Sequence, residues 1–149
     1  MRFVADSMLG KLARHLRIMG YDTLYHTGYS PEELAGLVRE GRTLLTRNRS
    51  TAQLHSPCVF LWSDLVKDQL EELDRATALE RNRKNWFSRC LVCNELLVRA
   101  EAETARESVP DFVFSRYSER IQYCPGCKRF YWPGTHKERM LEKLSEWGF

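Results

Sequence analysis

Two Cys-x2-Cys motifs limit the folds open to this chain more than any other feature of its 149 residues. The first motif supplies Cys90 and Cys93, and the second supplies Cys124 and Cys127 after an intervening stretch, residues 94–123. Each motif turns tightly enough to point two thiolates at one ion, and two such turns provide the four ligands of a tetrahedral zinc site. The spacing therefore predicts that all four cysteines bind one zinc ion.

The predicted zinc ion is structural, because four thiolates fill its coordination sphere and leave no position for a catalytic water molecule. Disulfide bonds are the alternative for the same cysteines. The sequence has no recognisable secretory signal, and cytoplasmic thiols remain reduced, so we expect a cytoplasmic protein that uses its cysteines for zinc. A fifth cysteine, Cys58, lies in the apolar run PCVFLW and is predicted to be a buried core thiol.

Upstream of the cysteine motifs, short apolar runs alternate with amphipathic ones. Strands are predicted at RFVAD, DTLYHT, RTLLTRN and PCVFLWS, and helices at SMLGKLARHLRIMG, SPEELAGLVREG and DLVKDQLEELDRATALERN. Ser7 and Ser30 are placed to cap the first two helices, and Gly20 and Gly41 to end them. This alternation predicts an α/β fold with a mostly parallel sheet and helices on both faces.

The character of the sequence changes after about residue 82, where the alternation stops and the cysteine motifs begin. We therefore predict an α/β domain of residues 1–84 and a zinc-binding domain of residues 85–149. Between the cysteine motifs, the runs ELLVRAE and DFVFSRYS are rich in strand-forming residues. A hairpin of these two runs beneath the metal would make the second domain a small β-rich zinc ribbon.

Hydropathy and charge narrow the classes of function. No apolar stretch approaches the roughly 18 residues that a membrane-spanning helix needs, so no membrane partner is expected. The net charge of +3 is small, but residues 81–89 contain four basic side chains and no acid. This run is either a solvated face of the linker or part of a nucleic-acid surface.

Acidic and polar residues follow the predicted strands, at the edge of the sheet where open parallel sheets bind their ligands. Asp6 follows the first strand, Asn48 the third and Asp64 the fourth, while Glu33 opens the helix before the third strand. Carboxylates that converge at this edge hold magnesium or manganese, which promote phosphoryl transfer. Glu33 and Asp64 have an alternative role as residues that only favour or cap the start of a helix.

The segments DSMLGKLARHLRIMGYDT, RTLLTRNR, QLEEL, RCLVCN and CPGCKRFYWPGTH together closely resemble the Mut-seven C-terminal RNase-domain family, in order over nearly the whole chain. The resemblance implies a PIN-like domain followed by a zinc ribbon. It also implies an RNase site that depends on magnesium or manganese, built on Asp6 and the strand end from Thr46 to Asn48. Relatives usually carry an acid where this chain has Asn48, and an amide offers a metal a carbonyl oxygen without charge and cannot act as a base.

RNA is the predicted partner. Aromatic and cationic side chains interleave after the second cysteine motif, as in proteins that stack bases and hold phosphates. The predicted RNA-binding residues are Lys11, Arg14, Arg47, Arg49, Arg129, Tyr131, Trp132, His136 and Lys137. For Phe130 and Trp132, packing beneath the zinc site is the alternative.

Three functions remain open from the sequence. The first is a metal-dependent endoribonuclease in which Asp6, Glu33, Asn48 and Asp64 form the site and the ribbon assists RNA binding. The second is an RNA-binding or adaptor protein on the same scaffold with a weakened or inactive site, which the replacement of an acid by Asn48 favours. The third is a ribbon that docks a protein partner without touching RNA.

Overall fold

The computed structural model describes all residues, 1–149, and contains seven strands and seven α-helices. In chain order these are β1 (Arg2–Ala5), α1 (Gly10–Ile18), β2 (Asp22–Tyr25), α2 (Pro31–Arg39), β3 (Thr43–Thr46), α3 (Arg49–Leu54), β4 (Cys58–Phe60), α4 (Val66–Thr77), β5 (Val98–Arg99), α5 (Ala102–Ser108), α6 (Asp111–Tyr117), β6 (Gln122–Tyr123), β7 (Phe130–Tyr131) and α7 (Thr135–Glu146). None of these helices combines the length and the apolar character that crossing a membrane requires.

The chain forms two compact units, which we call the first unit (Met1–Asn94) and the second unit (Glu95–Phe149). Each unit has a sheet of its own. The first cysteine motif lies within the first unit. The domain boundary expected between residues 84 and 85 stays a prediction.

The first unit is built on a four-stranded parallel sheet with the strand order β2-β1-β3-β4. The central strands β1 and β3 end side by side, with Ala5 opposite Leu45. Parallel strands need crossover connections, and α1, α2 and α3 lie in the three connections between successive strands. The predicted α/β fold with a mostly parallel sheet is confirmed.

Helices cover both faces of this sheet, because the chain reverses its direction of travel across the strands. The connection through α1 runs outward from β1 to β2, and the connection through α2 returns across β1 to β3. Right-handed crossovers therefore place α1 and α2 on opposite faces. On the α2 face, Val4 and Leu44 pack with Leu34 and Val38. α1 contacts β1, β2 and α4.

The starts and ends of the first two predicted helices follow the predicted signals with one exception, whereas the third, predicted over residues 64–82, is shorter and spans Val66–Thr77. Ser30 caps α2 in a reciprocal capping box, and Gly20 ends the first helical segment with a φ of 89°. Ser7 is not the first cap, because the Asp6 side chain accepts the N–H of Met8. The helix α3 was not predicted, since its six residues bury no side chain and so carry no apolar period.

The second unit has a three-stranded antiparallel sheet in the order β5-β6-β7. β5 arises within the predicted strand ELLVRAE, but the predicted strand DFVFSRYS is wrong, because this run forms α6. Val113 is buried, and Phe114 and Tyr117 pack against the same cluster. A helix brings these three side chains to one side, whereas a strand would send Val113 and Phe114 to opposite faces. β5 pairs instead with β6, next to the second cysteine motif.

Candidate functional site

The four cysteines of the two motifs converge. The Sγ atoms of Cys90, Cys93, Cys124 and Cys127 all lie within 4.8 Å of one another. Zinc–sulfur bonds of about 2.3 Å in a tetrahedron place the sulfur atoms about 3.8 Å apart, so these side chains fit one zinc ion. No other set of three or more His, Cys, Asp or Glu side chains converges in this way. The predicted four-cysteine site is present, with the donor set of a structural zinc ion.

The same backbone turn shapes each pair of cysteines. We call residues 90–94 the first knuckle and residues 124–128 the second knuckle. In both, the N–H of the second cysteine donates to Sγ of the first, at 3.5 Å and 3.4 Å respectively. The next residue, Asn94 or Lys128, has a positive φ and donates its N–H to the carbonyl of the first cysteine. The turns thus aim backbone N–H groups at sulfur, which suits thiolate ligands.

A buried arginine holds the first knuckle against the edge strand of the sheet. Arg17 of α1 donates through Nε to the carbonyl of Thr23 at 2.9 Å. Its Nη1 donates to the carbonyls of Leu91 and Val92, at 3.1 Å and 2.9 Å. These two residues lie between the two cysteines of the knuckle. Burial lowers the pKa of Arg17, and the negative charges of the two knuckle cysteines oppose this effect. Arg17 therefore joins the first knuckle to β2, and its positive charge offsets the negative charge of the two knuckle cysteines.

Asn94, the last residue of the first knuckle, supplies a second link to the same strand. Its Oδ1 accepts the N–H of Thr23 at 2.9 Å, and its Nδ2 donates to Oδ1 of Asp22 at 2.7 Å. Arg42 forms a two-point ion pair with Asp22, at 2.8 Å and 3.1 Å. Burial raises the pKa of Asp22, but the hydrogen bonds from Arg42 and Asn94 outweigh it, so the net pKa is lowered. Asp22, the first residue of β2, is thus a charged anchor for the first knuckle.

At the opposite end of the sheet, Asp6 follows β1 and is only 9% exposed. Its Oδ1 accepts the N–H of Met8 at 3.0 Å. Its Oδ2 accepts the hydroxyl of Thr46 and the N–H of Arg47, the latter at 3.2 Å. These bonds join the carboxyl ends of β1 and β3. They occupy three of the roughly four acceptor positions of the carboxylate and leave one for a ligand.

A recess of about 140 Å³ opens beside Asp6. It is lined by Asp6, Ser7, Met8, Thr27, Tyr29, Leu34, Asn48 and Thr51. Asp6 is the only acid among these residues. Asn48 shares the recess but also caps α3, since its Oδ1 accepts the N–H of Thr51 at 3.2 Å. The recess therefore combines one carboxylate with amide and hydroxyl groups.

The other two predicted catalytic acids, Glu33 and Asp64, do not line this recess. Oε2 of Glu33 accepts the N–H of Ser30 at 2.7 Å in the capping box of α2. The Asp64 side chain is 83% exposed and pairs with Arg47. It does not cap α4, whose N-terminal cap is Leu65. Asp6 and Asn48 are brought together, whereas catalytic roles for Glu33 and Asp64 stay predictions without a shared cavity to support them.

The geometry of these two sites agrees with a comparison against known protein families. The model of the Mut7-C RNAse domain matches residues 1–144. The chain belongs to the Mut7-C RNAse domain family. No curated protein and no solved structure gave a match. The family resemblance proposed from the sequence is therefore confirmed over nearly the whole chain.

In this Mut7-C chain, the cationic residues expected to bind RNA in the first unit fall into two groups. Lys11 and Arg14 are exposed on α1. Arg47 and Arg49 lie at the carboxyl edge of the sheet, where the Arg49 guanidinium is 5.0 Å from the ring centre of Trp62. Only the second group lies at the strand ends beside Asp6, which Arg47 contacts directly. RNA binding by either group stays a prediction.

In the second unit, the predicted RNA-binding residues differ in exposure. Arg129, Trp132 and His136 are exposed, whereas Tyr131 and Lys137 are half-buried. Burial lowers the pKa of Lys137. The exposed members of this group are those free to meet a ligand without rearrangement of the unit.

Two side chains with alternative interpretations are also placed. Phe130 packs against the core of the second unit and lies 5.1 Å from the ring of Tyr123, while Trp132 remains partly exposed. Cys58, predicted to be buried, is half-buried at the start of β4, because β4 is an edge strand. Burial raises the pKa of the Cys58 thiol, and the negative charge of Asp6 raises it further.

Proposed function

We propose that this Mut7-C protein is an endoribonuclease that hydrolyses RNA phosphodiester bonds with magnesium or manganese at Asp6. In this proposal the first unit cleaves RNA, the four-cysteine centre holds structural zinc, and the second unit assists RNA binding. The observation that carries it is the recess at the carboxyl ends of β1 and β3, which holds Asp6 and Asn48 in a chain of the RNase-domain family.

The residues in the recess fit a weakly held ion. Asp6 retains about one acceptor position, and the Asn48 amide oxygen, which already accepts one N–H, retains another. Magnesium takes about six oxygen ligands and commonly uses one or two carboxylates together with water and substrate phosphates. When bound, such an ion would neutralise charge on the phosphate and lower the pKa of a bound water. Asp6 and Asn48 alone supply few ligands, so RNA itself must complete the site.

The test compares cleavage of a labelled RNA with and without manganese by wild type, Asp6→Asn and Asn48→Asp. Asp6→Asn is expected to abolish cleavage, because it removes the only carboxylate in the recess. Asn48→Asp is expected to increase cleavage and to lower the manganese concentration required, since a second carboxylate binds the ion more tightly. Cleavage by Asp6→Asn at the wild-type rate would rule out this site.

Asp6 also joins β1 to β3, so its replacement needs a structural control. Thr46→Val removes the hydroxyl that donates to Oδ2 of Asp6 and accepts the N–H of Asn48, and it leaves the carboxylate in place. Thermal unfolding of both variants, recorded beside their cleavage rates, separates damage to the fold from loss of the carboxylate. If Asp6→Asn and Thr46→Val lose stability alike and only Asp6→Asn loses activity, the carboxylate acts in cleavage.

A second candidate function is an RNA-binding or adaptor protein without cleavage. The bonds from Met8, Thr46 and Arg47 favour it, because they give Asp6 a structural role that needs no metal. It predicts RNA binding that weakens as salt rises and that survives in Asp6→Asn, with no cleavage at any manganese concentration.

A further inference from the structure

Trp62 exposes an indole side chain two residues after the end of the edge strand β4. The residue before it, Leu61, is fully buried, whereas Trp62 is 66% exposed. An aromatic side chain of this size offers a large apolar area on which a ligand can stack. The family site at Asp6 does not account for it.

The backbone beneath this indole is firmly held. Trp62 donates its N–H to Oε2 of Glu72 at 2.8 Å, and the Ser63 hydroxyl donates to Oε1 of the same carboxylate. Gln69 donates to the carbonyl of Ser63 at 2.8 Å. The ring of Phe60 supports the indole edge to face, with ring centres 4.7 Å apart. A side chain that is exposed yet anchored in this way loses little entropy when a ligand stacks on it.

One arginine, Arg49, lies against the indole ring, and a second, Arg47, bonds the backbone of Trp62 and pairs with Asp64. The Arg49 guanidinium lies 5.0 Å from the centre of the indole ring, within the range of a cation–π contact. The guanidinium of Arg47 donates to the Trp62 carbonyl at 3.5 Å, and its backbone N–H donates to Oδ2 of Asp6. One residue, Arg47, therefore bonds both the backbone carbonyl of Trp62 and the carboxylate of the proposed cleavage site.

The distance between these two places suits neighbouring parts of one nucleic-acid strand. Asp6 follows β1 and Trp62 follows β4, with β3 between them. Two strand spacings amount to about 10 Å. A nucleotide whose phosphate reaches Asp6 can therefore present a nearby base to Trp62 and a nearby phosphate to Arg49.

We propose that Trp62 and Arg49 form a stacking platform for one unpaired RNA base beside the phosphate held at Asp6. This inference rests on the proposed function and gives it a substrate preference for single-stranded RNA. An unpaired base can be splayed onto an aromatic face, whereas a base in a duplex is already stacked and cannot reach it. Stacking on an indole face is insensitive to base identity, so the platform selects strand state and not sequence.

The experiment measures binding of a fluorescein-labelled single-stranded RNA by anisotropy in the Asp6→Asn background, where cleavage is not expected to consume the probe. Trp62→Ala is expected to weaken binding about 5- to 150-fold, the range for loss of one base–aromatic stack. Trp62→Phe should retain most of the affinity. Leu65→Ala is the matched control, because Leu65 is equally exposed (67%) in the same loop but has no aromatic face. A blunt duplex of the same sequence should bind wild type and Trp62→Ala alike.

The possible failures are distinguishable. If wild type cleaves RNA and, in the Asp6→Asn background, Trp62→Ala leaves binding of the single strand unchanged, the platform is refuted and the proposed nuclease stands. If the single strand binds in a Trp62-dependent manner but nothing is cleaved, the platform stands and the nuclease does not. If sedimentation shows a wild-type dimer that Trp62→Ala dissociates, the indole serves a second copy of the chain and the inference is overturned. Absence of RNA binding by the wild type overturns both.

Discussion

Asn94 in the first knuckle donates its side-chain amide to the carboxylate of Asp22 at 2.7 Å. The two residues lie 72 positions apart in the chain, and their contact fixes a metal-binding turn to the edge strand of the parallel sheet. The first cysteine motif, Cys90 and Cys93, is therefore held by the sheet of the first unit.

The first prediction concerns this contact. We expect Asn94→Ala to lower the free energy of unfolding by about 3 kcal/mol, because it leaves the N–H of Thr23 and one side of Asp22 without their partner. Asn94→Gly is the matched variant, since it also removes the amide but relaxes the positive φ of 73°. Chemical denaturation of the zinc-loaded protein measures both. A glycine variant as stable as wild type would refute the amide contribution.

The second prediction concerns removal of the metal, and its effect is measured at one backbone group, the N–H of Thr23. The N–H of Thr23 is bonded to the side chain of Asn94, and not to β1. Chelation of zinc frees the first knuckle from its ion, so we expect hydrogen exchange at Thr23 to accelerate strongly. Exchange at Val4, in the centre of the sheet, should change little. Equal acceleration at both residues would mean that the metal stabilises the whole first unit instead of its edge.

The pKa of Asp22 leads to a prediction about pH. Its pKa is lowered from the ordinary value of 3.8, so the folded chain binds this proton more weakly than the unfolded chain does. The carboxylate therefore stabilises the fold at pH above 3.8, and this stabilisation is lost as the pH falls through the lower pKa of the folded state. Asp22→Asn should cost about 2 kcal/mol near neutral pH, because it weakens the charged bonds from Arg42.

The measurement is urea denaturation of wild type and Asp22→Asn across acidic to neutral pH. The difference in unfolding free energy should be constant near neutrality and should shrink as the pH falls below 3.8. A difference that grows toward low pH would contradict the lowered pKa.

Two glycines in the first unit give opposite predictions for the same substitution. Gly20 has a φ of 89°, and a Cβ there would collide with the backbone carbonyl of Asn85, so Gly20→Ala should destabilise by at least about 1 kcal/mol. Gly36 lies within α2, and a Cβ there would meet no atom within 4 Å. Gly36→Ala should stabilise by about 0.5 to 1 kcal/mol, through helix propensity alone. Melting temperatures of the two variants test the pair.

The sequence predicted those parts of the fold that have a local cause. The strand–helix alternation of the first unit, the Ser30 cap and the end of the first helical segment at Gly20 all follow from periodicity and backbone preferences within a few residues. The cysteine pairs were equally readable, because their spacing encodes the turn itself. Each of these signals is complete within its own segment.

The errors came from segments whose structure depends on distant partners. The run DFVFSRYS has the residues of a strand, but Val113, Phe114 and Tyr117 become helical because the core that they fill includes Ala105 and Ile121. Tertiary packing of this kind overrides strand propensity. The residues of this run alone do not show that it packs as a helix.

The sites were predictable in part for the same reason. Asp6 and Asn48 follow neighbouring central strands, so their meeting follows from the sheet. Glu33 was drawn instead into its local capping box. Arg17 offers a signal that was overlooked, since a charged residue occupies a position between the buried Leu16 and Ile18. Its partners, however, lie 74 and 75 positions away.

The contacts of Thr23 have a consequence for how the protein behaves among its own copies. β2 is an edge strand of the sheet, and an uncovered edge strand can form backbone hydrogen bonds with a strand of another molecule. Arg17 donates to the Thr23 carbonyl and Asn94 accepts the Thr23 N–H. These two side chains therefore occupy the backbone groups with which a strand of another molecule would pair. The first knuckle and Arg17 therefore block the addition of a strand from another molecule. Without zinc, the chain should be prone to aggregate through β2.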